Sequence, residues 1–131
     1  MADATDWRRW VACTEDDFAV ALMLLEKRPR HASFQLQQSA EKLLKAALIA
    51  RGQKPERTHD LVLLALTLDS TLLIDDCIFS GARLLTLVGT RSRYPDRFVE
   101  LSIEEIRHCS RLRGWCGILQ CAVFQPKPQT C

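Results

Sequence analysis

The chain has little of what bends or breaks a backbone. Its 131 residues include only five glycines and five prolines. Leu, Ala, Arg and Glu are abundant instead, a composition that favours helix. No stretch alternates Val, Ile or Thr with period two over a useful length, so no strand is expected. Neither charge sign dominates. Eighteen Lys and Arg stand against sixteen Asp and Glu, a net charge of +2, too weak to argue for nucleic acid or membrane. No long apolar run is present. The longest stretch without a formal charge is the thirteen residues Gly114 to Pro126, too short to span a bilayer as a helix. The N-terminus, MADATDWRRWVACTEDD, is charged throughout and has no apolar segment of the signal-peptide kind. These absences set the expectation of a cytoplasmic protein outside the membrane.

Metal-site spacing is also missing. The six cysteines (Cys13, Cys77, Cys109, Cys116, Cys121 and Cys131) form no C-x-x-C and no Cys/His pair at zinc spacing. No metal site and no cofactor are therefore expected. In a cytosolic helical chain these are free thiols. Cys109 and Cys116 are seven apart on one apolar arc with Leu112 and Leu119, where they read as small packed hydrophobes.

What is present is helical periodicity. The length fits one domain, placed at residues 1–125, with 126–131 (QPKPQTC without its first Gln) as a flexible tail. That size buries roughly two thirds of its unfolded surface, enough for a core. A first helix is expected from about Thr5 to Glu26, with Trp7, Val11, Phe18, Leu22 and Leu25 as its apolar stripe. Pro29 breaks it. A second helix runs from about Ala32 to Arg51 and stops at Gly52, since glycine tolerates positive φ. Thr58 caps a third, from about His59 to Leu68. A fourth, about Leu72 to Thr90, is apolar on much of its circumference and is expected to be central. Ser102 and Glu105 form a capping box for a fifth, about Ile103 to Val123. Short links between such helices imply an all-α, five-helix antiparallel up-and-down bundle.

The second helix raises a functional question. At 100° per residue, Gln38, Glu41 and Lys45 fall within about 40° of Phe34, with Lys42 and Gln35 beside them. Leu36, Ala40, Leu43, Leu44 and Ala47 gather on the other side. One reading is a solvated face carrying a Glu41–Lys45 pair at the favourable i,i+4 spacing. The other is a recognition surface, because amides both donate and accept and lysine meets phosphate as a point charge.

Other candidates divide the same way. His59 and Asp60 open a helix: Thr58 caps and Asp60 complements the positive helix end, or His59 and free amides around Thr58 bind an anion. In TRSRYPDR, Arg91, Arg93 and Arg97 flank Tyr94. This is a polar connection bent by Pro95, or a basic and aromatic phosphate contact. Arg107 and Arg111 share a face that is solvated by default. Gly114 and Gly117 share another with Ser110 and Cys121, where close helix packing or a dimer seam near Trp115 would suit small residues.

The segments ASFQLQQSAEKLLKAAL at 32–48, THDL at 58–61 and RYPD at 93–96 follow an aromatic, Asp-containing first helix in that order. The chain in this respect resembles the HEPN family, the higher-eukaryote and prokaryote nucleotide-binding domains, over about residues 7–122, in its RYP-containing branch. The resemblance implies a five-helix bundle, commonly a homodimer, acting beside a small nucleotidyltransferase. Some members are ribonuclease toxins that carry Arg, four to six residues, then His. Here His31, His59 and His108 have no arginine at those spacings: the positions hold Leu24, Leu25 and Glu26, then Gly52, Gln53 and Lys54, then Leu101, Ser102 and Ile103. The expectation is thus a non-catalytic binding protein with a nucleotidyltransferase partner and a nucleotide contact. Gln38, Glu41, Lys42, Lys45, His59, Asp60, Arg93 and Tyr94 would line its site, Lys and Arg on phosphates, Gln38 and Tyr94 on the base or partner. The alternatives are a ribonuclease toxin of a toxin–antitoxin pair that uses His59 or His108 with Arg93, and a helical adaptor without a small ligand.

Overall fold

The computed structural model describes residues 6–69 and 76–91, together with Ser102, Glu104 and Glu105. Four helices are described: α1, Trp7–Leu24; α2, Pro29–Ala50; α3, Leu61–Asp69; and α4, Asp76–Arg91. Among the described residues there is no strand. Most of the fifth expected helix lies outside them. Its start does not: Ser102 Oγ accepts from the Glu105 amide at 3.1 Å, and the Glu105 carboxylate accepts from the Ser102 amide at 3.2 Å. That reciprocal pair is the capping box expected from the spacing. The domain limits at 125 and the tail at 126–131 also lie outside the described residues.

Asp6 starts α1, its carboxylate accepting from the Arg8 amide at 3.1 Å. The expected stripe of α1 is met except at Leu22: Trp7, Val11 and Phe18 are half-buried and Leu25 is buried. Ala21 and Leu25 are buried and Phe18 packs beside them, but Leu22 is 50% exposed. The same side of α1 meets polar groups of α2: the Thr14 carbonyl accepts from Ser39 Oγ and the Asp17 carboxylate from Lys42 Nζ.

Pro29 begins α2 rather than only ending α1, so α2 starts three residues earlier than expected. Proline is well suited to the first helical position, where its missing N–H would have no partner and its φ is already helical. The other end is as expected. Gly52 takes φ 78°, its amide donates to Ile49 O at 2.9 Å, and the Gln53 amide donates to Leu48 O at 2.9 Å. This is a Schellman closure.

Among the described helices α2 has the most neighbours. It packs against α1, α3 and α4. Its apolar side was placed correctly: Leu36, Ala40, Leu43, Leu44 and Ala47 are all buried in one core cluster with Leu61, Leu64, Leu68, Ala82 and Leu85. From the described side chains of α4, Ala82 and Leu85 are buried in that cluster, with Phe79 and Leu84 packed against it; the side chains of 76–78 and 88–91 lie outside the described residues.

The α1–α2 pair is antiparallel. Trp10 meets Lys45 and Thr14 meets Ser39, so later positions in one helix meet earlier positions in the other. No described helix is long and apolar enough to cross a membrane.

Candidate functional site: a buried polar row on α2

The expected wet side of α2 is largely covered. Glu41 is only 5% exposed and Gln37, one turn earlier, 1%. The solvated-face reading fails for these positions, because α1 and the 53–60 loop lie over them. Periodicity places residues on one face; it does not say what packs there.

Glu41 is the hub. Its Oε1 lies 2.7 Å from His59 Nδ1, and its Oε2 accepts from Lys45 Nζ at 3.3 Å. Gln37 Nε2 donates to the same Oε1 at 3.5 Å and to the His59 carbonyl at 3.4 Å. Gln38 Nε2 donates to Gln37 Oε1 at 2.8 Å. The chain of contacts therefore runs from Gln38 through Gln37 and Glu41 to the loop that carries His59. A buried polar network of this kind holds its members in one arrangement.

Both lysines of the row already have carboxylates. Lys42 Nζ donates to Asp17 Oδ2 at 2.6 Å, joining α2 to α1. Lys45 lies between Glu41 and the Trp10 ring, 5.9 Å from the ring centroid, within cation–π range. Ser39 Oγ donates to the Thr14 carbonyl at 3.0 Å, a second polar clasp between the same two helices.

The loop ends differently from the expectation. Asp60, not Thr58, caps α3: its Oδ1 accepts from Val62 and Leu63 amides at 3.0 and 3.3 Å. Thr58 Oγ accepts from the Asp60 amide at 3.1 Å instead. The Leu61 amide donates to Thr86 Oγ at 3.0 Å, and the Leu64 amide to Asp60 O at 3.2 Å. The Thr58 amide donates to Glu56 O at 2.9 Å. The Thr58 and Asp60 amides, candidates for an anion, are thus engaged within the chain. Helix α3 starts at Leu61 because the Asp60 side chain satisfies two of its first donors.

The ring of His59 remains open to solvent, its side chain 63% exposed despite the buried anchor. Gln38, Glu41, Lys42, Lys45 and His59 are therefore brought into one connected region, with Asp60 next along the chain. Arg93 and Tyr94 lie outside the described residues. Sequence reasoning missed Gln37, Asp17 and Trp10. Gln37 did carry a signal, the i,i+4,i+8 ladder that it forms with Glu41 and Lys45. Among the described residues no group of His, Cys, Asp and Glu is placed to hold a metal ion.

A family model for the HEPN domain matches residues 7–113. The chain belongs to the HEPN family. The match takes in all four described helices, the Glu41–His59 region and the capping box at Ser102. No curated protein and no solved structure matches the chain. For this HEPN domain the residues above therefore have to be argued from their own chemistry.

Proposed function

We propose that this HEPN chain is a binding protein without nuclease activity, which docks on a nucleotidyltransferase partner and contacts a nucleotide. The observation that carries the reading is the internal pairing of the α2 row. Lys42 and Lys45 each meet a carboxylate, and the amides at the start of α3 have acceptors in the chain. A nuclease needs a cation left over for the scissile phosphate, and the arginine that would supply it is missing from all three histidine spacings. Among the described residues of this region the His59 ring is open to a ligand or partner, and Arg93 and Tyr94 are the further candidates from the sequence.

Calorimetric titration of ATP, with and without magnesium, tests this reading. Saturable binding that His59→Ala and Arg93→Ala each weaken about tenfold, or 1.4 kcal/mol, supports it. No heat up to millimolar ATP removes the nucleotide and leaves a helical adaptor.

One observation favours a second reading, the ribonuclease. A carboxylate behind an exposed imidazole is the arrangement a general base uses. Purified chain would then cleave single-stranded RNA and His59→Ala would abolish cleavage; intact RNA after prolonged incubation removes this reading.

A further inference from the structure

We infer that His59 Nε2 is the ligand-contacting atom of the proposed site, that Glu41 is the residue that positions it, and that the group it takes is an uncharged hydrogen-bond donor of a nucleoside, a ribose hydroxyl or a base amine. The inference rests on the nucleotide contact proposed above and names its chemistry.

The argument starts from Glu41. Its oxygens accept from Lys45, which has only donors, and from Gln37 through its amide nitrogen. The third group at this carboxylate is His59 Nδ1, 2.7 Å from Oε1. An oxygen that accepts from these neighbours requires a donor at Nδ1, so the proton of the neutral ring sits there. The tautomer is set by the partner. Nε2 then carries the lone pair, on a ring whose side chain is 63% exposed. The Gln37 contact to the His59 carbonyl holds the backbone of the same residue, so ring and main chain are both anchored to α2. The result is a fixed acceptor aimed away from the bundle.

An acceptor suits a donor. A phosphate oxygen is itself an acceptor and would meet this lone pair only after the ring gained a second proton. The start of α3 does not favour an anion either. The amides of Asp60, Leu61, Val62, Leu63 and Leu64 all have acceptors within the chain, and the Asp60 carboxylate stands at the start of α3 where a phosphate would have to sit. The nearest described ammonium on the row, Lys45, is held by Glu41.

The test is long-range 1H–15N spectroscopy of the histidine rings in the full chain. In free protein His59 should show a protonated Nδ1 and an unprotonated Nε2, and Glu41→Gln should return the ring to a tautomer mixture dominated by protonated Nε2. A free ring already showing the Nε2–H form overturns the inference without any ligand or variant. Adenosine and ATP should then shift Nε2, with affinities within about tenfold of each other, while inorganic triphosphate leaves it unmoved. A triphosphate shift at His59, or adenosine binding more than tenfold weaker than ATP, overturns the donor assignment. 2′,3′-Dideoxyadenosine, without the 2′ and 3′ hydroxyls that adenosine and ATP share, and purine riboside, without the amine, identify the donor. Loss of the Nε2 shift with one of them supports the inference, and loss with neither overturns it. Nucleotides that shift other resonances but not His59 sink this inference alone. Nucleotides that shift nothing sink the nucleotide contact as well.

Discussion

At the scale of single residues, Glu41 does two jobs that one substitution separates. Its side chain is 7% exposed and that of Lys45 is 11% exposed, so neither charge is well solvated. Glu41→Ala leaves the ammonium of Lys45 without its carboxylate, and removing one member of a buried pair costs about 3 kcal/mol. His59→Ala removes a partner whose ring is mostly in water, and should cost about 1 kcal/mol or less. Urea unfolding of the two variants should therefore give well-separated midpoints. The double variant Glu41→Leu, Lys45→Met should recover most of the loss, because apolar groups of similar size need no counter-charge. Equal midpoints for Glu41→Ala and His59→Ala would mean that the carboxylate is better hydrated than its burial implies.

At the scale of elements, the sequence was most legible where a signal is local. Gly52 and the Ser102–Glu105 pair each decide a helix end within a few residues, and both ends match the expectation. Gly52→Ala should cost about 1 kcal/mol, since a Cβ at φ 78° crowds the following carbonyl. Where two local signals compete, the outcome is set by geometry that spacing does not reveal. Thr58 and Asp60 are both good capping residues, and Asp60 takes the role because its oxygen reaches two amides. Asp60→Ala should cost about 1 kcal/mol and Thr58→Ala clearly less, read from thermal or urea unfolding; the reverse order would mean that Thr58 is the effective cap. The face of α2 was least legible. Its apolar half is correct, but the polar half is covered by α1 and the 53–60 loop, and coverage is a tertiary fact. Gln37 shows the limit: its spacing to Glu41 was visible, its 1% exposure was not.

At the scale of the whole molecule, the charges decide how a partner can be held. The chain carries +2 overall, and the described α2 row is close to neutral because Lys42 pairs with Asp17 and Lys45 with Glu41. A partner that docks at the exposed His59 edge of this row meets lysines that already have their carboxylates. Its affinity should come from hydrogen bonds to groups such as the His59 ring and from apolar contact, neither of which salt screens. Co-expression with a small nucleotidyltransferase, the kind of partner proposed above, should therefore yield a complex. Between about 0.1 and 1 M salt the Debye length falls from roughly 10 to 3 Å. An interface built on charge steering would weaken steeply over that range, whereas this one should change its dissociation constant by less than about tenfold, or 1.4 kcal/mol. Titration at the two salt concentrations separates the cases. A flat response agrees with docking at the His59 edge of the self-paired row. A steep loss would move the interface to the arginine-rich 91–97 segment, and no complex at low salt would end the partner reading.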